Sequence, residues 1–193
     1  MTDTALTSEQ ILEAAEEVLR RFGPAKANVV DVARALGVSH GSVYRHFPSK
    51  AVLRDAVAGR WLARMTTPLS AIAAESGPAP ERLHRWLRQL ITSKHRKVLD
   101  DPELFAAYHL LAVETRGVVE GHVEVLAAQV AIIIADGLAS GAFALSDPAA
   151  SARAVLSATA RFHHPAHASE WAAPTIDAEF ETLWQLVLRG LTR

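Results

Sequence analysis

Two stretches of this 193-residue chain hold side chains whose types and spacing could do chemistry. The first runs Ser39-His-Gly-Ser-Val-Tyr-Arg-His46 and is followed by Lys50. Its front is small and polar, so a backbone could approach another molecule closely, while Tyr44, His46 and Lys50 supply donors that suit phosphate oxygens. The second is His163, His164 and His167, with Glu170 three residues further on. Crowded imidazoles can hold zinc or another borderline metal as a three-nitrogen site. Pro165 interrupts the helical spacing, however, and histidine at a helix C-terminus is also favoured by the helix dipole, so a polar pocket wall or a histidine-rich interface fits the same residues. A helical metalloenzyme with Glu170 as base is the competing reading of function. It lacks a His-Glu-x-x-His pattern, a glycine-flanked nucleophilic serine and a phosphate loop, so the expectation is no enzyme, no cofactor and no catalytic residue.

The elements that must position these groups are helical. Ile11, Ala14, Ala15, Val18, Leu19 and Phe22 recur at helical spacing behind a Thr7/Gln10 capping box, which predicts a helix over 8–22 stopped by Gly23-Pro24. Asn28 suits the N-cap of a short helix carrying Val29, Val32, Ala33 and Leu36, and Gly37 can turn the chain at its end. Ser39 caps a third helix over 39–46. Pro48 ends it, and Ser49-Lys50 opens a fourth, roughly 50–65, holding Leu53, Val57 and Trp61. Five longer helices are expected over 80–98, 102–116, 118–140, 148–164 and 174–191, with 76–80 and 166–174 as flexible connections. No stretch alternates with period two, so the fold class is all-α: an N-terminal three-helix unit, a long fourth helix as connector, and a C-terminal helical bundle. The corresponding domains are 1–50, with 50–66 as connector, and 67–193.

Val32, Ala33, Leu36, Val38, Val43 and Phe47 form an apolar set around the Gly37-Val38-Ser39 turn, the pattern of a helix-turn-helix. A hairpin used only for packing needs neither small polar residues in front nor aromatic and basic donors behind. Charge distribution agrees. Net charge is -1 overall, yet residues 26–64 contain seven basic residues against Asp31 and Asp55, so +5 there faces -6 elsewhere. A basic module joined to an acidic remainder is expected if one part meets phosphate. With 50% hydrophobic residues the chain can bury a sizeable core, and the absence of cysteine excludes disulfides and fits a reducing cytoplasm. The polar start, with Asp3 and Glu9, does not look like a secretory signal, and no apolar run is expected to approach a membrane span, since Val130–Ala135 is bounded by Gln129 and Asp136. A cytoplasmic protein without a membrane partner is expected.

Residues 8–62 resemble the N-terminal domain of the TetR (tetracycline-repressor) family. The resemblance rests on Ile11-Leu-Glu-Ala-Ala15, Phe22-Gly23, Asp31-Val-Ala33, Gly37-Val-Ser39 and Val43-Tyr-Arg-His-Phe-Pro-Ser-Lys50. Asn28 stands where the family usually has threonine, an equivalent cap. The resemblance implies a homodimer on double-stranded operator DNA, with two recognition helices about 34 Å apart in successive major grooves. It implies Ser39, His40, Gly41 and Ser42 near bases, Tyr44, His46 and Lys50 at phosphates, and a further phosphate contact from Asn28. It also implies release by a small effector that favours a state with a shifted fourth helix.

From residue 70 onward the resemblance is to layout alone. The implied dimer interface is the last helix pair, where Val155, Leu156, Thr159 and Phe162 face Ile176, Phe180, Leu183, Trp184, Val187, Leu188 and Leu191, and where Ala150, Ala152, Ala154, Ala158 and Ala160 permit close approach. The same stripes suit a monomer core equally. For the effector pocket the candidates are Trp86, Leu90, Phe105, Tyr108, His109, Val130 and Arg161.

Overall fold

The structure is a computed structural model that describes residues 6–23, 28–144 and 146–192; Asp3, Pro24 and Lys26, used above for the N-terminus, a helix stop and the charge count, lie outside the described residues. Among the described residues the chain is helical throughout, without a strand. In chain order the helices are α1 (Ser8–Phe22), α2 (Val29–Leu36), α3 (His40–Tyr44), α4 (Lys50–Ala74), α5 (Ala79–Asp100), α6 (Pro102–Glu114), α7 (Arg116–Ala139), α8 (Pro148–Ala158), α9 (Ala160–His163) and α10 (Ile176–Leu191), with a 3-10 segment over Pro165–Glu170.

Packing divides the chain into two compact units that do not follow chain order. One comprises residues up to Ala63 together with Asp101–Glu120, the other Arg64–Asp100 with Gly121 onward. The first is built on caps the sequence announces. Thr7 and Gln10 cap α1 reciprocally, and Asn28 Oδ1 accepts from the amides of Val30 and Asp31 at 3.0 and 3.1 Å. Gly37 closes α2 at φ 66°, a left-handed conformation that favours glycine. Ile11, Ala15, Leu19, Val32, Ala33, Val43 and Leu53 are fully buried there, and each large one stabilises the unit by about 1.5–3 kcal/mol. Phe22, expected on the apolar face, is exposed instead. Trp61 stacks on Tyr108 of α6 with centroids 4.4 Å apart, and Tyr108 donates its hydroxyl to Glu16 at 3.0 Å. α6 therefore belongs with α1 and α4.

In the second unit the inner faces of α5 (Leu83, Trp86, Leu87, Leu90), α7 (Leu126, Val130, Ile133, Ile134), α8 (Ala152, Val155, Leu156) and α10 (Ile176, Phe180, Trp184, Leu191) share one core with Leu69 and Phe162. Arg82 is buried in it and holds Asp136 at 2.7 Å and the Ala73 carbonyl at 3.1 Å. Gly137 leaves room for the Phe143 ring, which a Cβ would meet at 2.1 Å.

Four expectations are corrected. α4 does not stop near residue 65 but continues through Pro68 to Ala74, because a proline removes one helix hydrogen bond while Leu69 and Ala73 gain burial in the core. The helix expected over 148–164 is interrupted at Thr159, whose hydroxyl donates back to the Val155 carbonyl at 2.9 Å. The connection 166–174 is built, not loose: the 3-10 segment leads to Trp171, which is buried, donates to the Arg161 carbonyl at 2.9 Å and stacks on His95. Finally, α7 is long and apolar enough to cross a membrane, with mean hydropathy 1.7, since both its buried face and outward Val123, Val125 and Ile132 are apolar.

Candidate nucleic-acid interface and effector core

α3 is anchored from behind and open in front. Val43 is fully buried and Phe47 nearly so, which fixes the helix on α1 and α2 and turns His40 and Gly41 outward. Ser39 caps α3: its Oγ accepts from the Ser42 amide at 3.2 Å and lies 3.0 Å from Ser42 Oγ. The regular helix is shorter than expected, ending at Tyr44, with Arg45 and His46 in a closing turn. Tyr44 and Lys50 are exposed. His46 is half-buried and its Nδ1 lies 3.0 Å from Ser8 Oγ, which ties it to the first turn of α1. Asn28 is largely occupied: besides capping α2, its Nδ2 donates to Asp31 at 2.6 Å. The basic stretch is likewise partly internal. Arg34 pairs with Asp31, Arg54 with Glu114, and Arg60 with Glu9 at 2.6 Å, while Arg45 and Lys50 stay outward beside α3. Arg45 and Lys50 thus place charge where a phosphate backbone would pass the helix.

The seven expected effector residues separate into three groups. Trp86, Leu90 and Val130 are fully buried together in the second unit. Phe105 and Tyr108 are buried in the first unit around Trp61. His109 and Arg161 line no interior: His109 is exposed, and Arg161 spans Glu170 and Glu179 at the surface, where water and two carboxylates solvate a guanidinium more cheaply than a core would. A groove of about 580 Å³ runs along α7 and α8, lined by Ala127, Ala131, Ile132, Pro148 and Arg153, and holds none of the seven.

Polar groups lie inside that same core, and Lys94 and His122 among them were missed by sequence reasoning. Trp86 Nε1 donates to Gln129 Oε1 at 3.0 Å. Lys94 is only 5% exposed, and burial pushes its ammonium down to about 8. His122 is 9% exposed with hydrogen-bond partners on neither ring nitrogen, and burial, then the charges of Lys94 and His163, push it down to about 3. Burial and Lys94 also push His163 down to about 4, and its Nε2 lies 3.1 Å from Thr159 Oγ1. The available signal was spacing: Lys94 follows Leu90 and Trp86 at intervals of four on the buried stripe of α5.

The histidine cluster does not converge on a metal. His163 turns to Thr159, His164 Nδ1 accepts from the Ala166 amide at 3.2 Å and so caps the 3-10 segment, and His167 Nδ1 lies 2.7 Å from Glu170. Pro165 sends the chain out of the helix between them, and among the described residues no group of three or more potential ligands is arranged to hold a metal ion.

The comparisons with known proteins fit this geometry. Residues 11–57 match the family of bacterial regulatory proteins of the tetR type, and residues 79–184, more than half of the chain, match the tetracyclin repressor-like C-terminal domain. The uncharacterized HTH-type transcriptional regulator Rv1255c of Mycobacterium tuberculosis is 31% identical over 131 residues, which is 68% of this chain and 63% of that protein. The match thus spans less than two thirds of that relative's length. Two solved structures share the fold at 17% identity: SmeT, repressor of the Stenotrophomonas maltophilia multidrug efflux pump SmeDEF, at TM-score 0.72 over 97% of this chain and 91% of that one, and the Bacillus subtilis transcriptional regulator FadR in complex with stearoyl-CoA, at 0.70 over 96% and 100%. With both of its halves matched by the family's two domains, the chain belongs to the TetR family of bacterial regulatory proteins.

Proposed function

We propose that this chain is a cytoplasmic repressor that binds operator DNA as a homodimer, is released by a small effector, and catalyses no reaction. The observation that carries the reading is α3 itself: Val43 and Phe47 lock it into the first unit, while its small polar end and the outward Tyr44, Arg45 and Lys50 are left to meet a duplex. Ser39, His40, Gly41 and Ser42 approach bases, and Tyr44, Lys50 and His46 hold phosphates. Asn28 contributes through the α2 N-terminus it caps more than through its occupied side chain. Residues 1–50 serve as the reading domain and 67–193 as the sensing and dimerising domain. α4 is one continuous helix with residues in both units.

Dimerisation through α8 and α10 is supported by their outward faces. The stripes expected to meet a second copy are monomer core, since Val155, Leu156, Phe162, Ile176, Phe180 and Trp184 are buried within one chain. The alanines divide: Ala152 is internal, but Ala150, Ala154 and Ala158 form an exposed stripe at intervals of four, with Leu186 exposed on α10. Small outward residues there let two helices approach closely.

Fluorescence anisotropy on DNA from upstream of the chain's own gene tests the reading. Tyr44→Ala and Lys50→Ala should each weaken binding to all sequences, and Lys50→Ala should lower the slope of log K against log salt by about 1. Unchanged affinity and slope in both variants would remove α3 and its flank from the interface.

A further inference from the structure

Both faces of α7 are apolar, and one of them is turned outward. Leu126, Val130, Ile133 and Ile134 fill the core of the second unit. Opposite them Gly121, Val125, Ala128, Ile132, Ala135 and Ala139 are exposed, Val125 at 47% and Ile132 at 50%. They follow one another at alternating steps of four and three, the period of a seam that fits along a second helix, and no charge interrupts them. A Cβ at Gly121 would meet nothing within 4 Å, so packing inside the chain does not call for glycine there. A helix that is apolar on all sides is ordinarily covered on both faces.

The shape of the seam selects what covers it. One set of its positions carries the branched Val125 and Ile132, the other the small Gly121, Ala128 and Ala135. When two such helices run antiparallel each set faces the other, so Val125 meets Ala135 and Ile132 meets Ala128 of the second helix. Large then fits small along the whole contact, and a second copy of this chain supplies that helix. The face also continues onto α8. The groove of about 580 Å³ is lined by Ala128, Ile132 and Ala135 from α7 and by Pro148, Ala149 and Arg153 from α8, and the exposed Ala150 and Ala154 follow directly on the last two. Seam and flank together run about 27 Å along α7 and two helix diameters, roughly 20 Å, across it, the scale of patch that a stable protein pair buries on each partner. A lipid surface fits poorly. The rim sets Glu124, Asp136 and Asp147 against Arg153, and the seam has no aromatic residue, whereas helices that lie on membranes carry lysine and arginine beside an aromatic or leucine face.

We propose that the homodimer contact extends from α8 onto α7, whose outer seam packs antiparallel on the same seam of the second copy, with the two-fold axis level with the midpoint between Ala128 and Ile132. This rests on the reading above that the chain is a homodimer. One helix then serves the core of its own chain with its inner face and the dimer with its outer face.

The test is analytical ultracentrifugation of the whole protein, together with thiol crosslinking in a chain that has no cysteine of its own. Ile132→Glu should raise the dimer dissociation constant at least ~10-fold, because the symmetry brings two charges into one seam. Leu99→Glu, at an exposed apolar site on α5, should leave it within about twofold, and circular dichroism verifies that both variants fold. Ala128→Cys should join two chains through a short bis-maleimide, and Ala139→Cys, which antiparallel packing holds roughly 27 Å from its own counterpart, should not. An unchanged constant for folded Ile132→Glu, no Ala128→Cys product from the dimer, or equally ready crosslinking through Ala139→Cys would overturn the proposal. So would binding to phosphatidylglycerol vesicles that Ile132→Glu abolishes while the dimer stays intact. The two readings fail separately. A chain that remains monomeric at ~100 µM sinks the homodimer and the seam with it, whereas a dimer weakened by Ala154→Glu and not by Ile132→Glu sinks the seam alone.

Discussion

Gly41 lies on the exposed turn of α3 with room for a methyl group, because a Cβ there would meet only Ser39 Oγ, at 3.8 Å. Nothing inside the fold requires glycine, so its smallness matters outward. Gly41→Ala should raise stability by about 0.5–1 kcal/mol in urea unfolding and weaken operator binding in the same preparation; unchanged operator affinity would place bases away from this turn. Lys94 carries the opposite signature. Its folded value of about 8 lies below the ordinary 10.5. Below pH 8 both folded and unfolded chains hold the proton and the fold bears the full cost of a buried cation; between pH 8 and 10.5 the unfolded chain holds more protons, so stability rises with pH. Lys94→Met should therefore be more stable than wild type by on the order of 3 kcal/mol at pH 7, with the gap closing toward pH 10 in paired urea titrations. A gap independent of pH would show that Lys94 keeps its ordinary ionisation. The caps, the turn glycine and the small polar front of α3 were legible in the sequence because they are local features. The core polar groups were not: Lys94 and His122 have meaning only once α5 and α7 pair, and Arg161 looks interior from sequence until Glu170 and Glu179 fold back to it.

At the level of elements, the start of each N-terminal helix was readable, and so were the ends of α1 and α2, because a side-chain cap or a glycine marks them. Ends set by long-range packing were not. Pro68 reads as a stop, yet α4 passes through it to bury Leu69 and Ala73, and the break at Thr159 depends on a hydroxyl bonding back to its own helix. The outward alanine stripe of α8 makes an element-scale prediction. Ala154→Glu should leave helix content unchanged, since Ala154 is exposed in the single chain, and should convert a dimer to a monomer in light scattering after size exclusion. A variant that stays dimeric would move the interface elsewhere, with the apolar α7 face as the next surface to probe.

At the scale of the whole molecule, the charge asymmetry visible in the sequence changes meaning once the fold is known. Arg34, Arg54 and Arg60 pair with carboxylates, so the basic stretch is partly cohesive, while Arg45 and Lys50 place charge outward near α3. The two compact units also differ from a simple division in chain order, since 101–120 returns to pack with the N-terminal helices, a long-range association that periodicity does not encode. The central claim of the proposed function is sequence-specific recognition of a duplex. The most direct measurement is selection of bound fragments from the source genome by the purified full chain, followed by anisotropy on the recovered site near 150 mM salt with excess nonspecific competitor. The account predicts a two-fold symmetric site with half-sites about 10 base pairs apart, bound at least ~10³-fold more tightly than random DNA. Recovery of no enriched sequence, or binding that the competitor removes from every fragment, would contradict it.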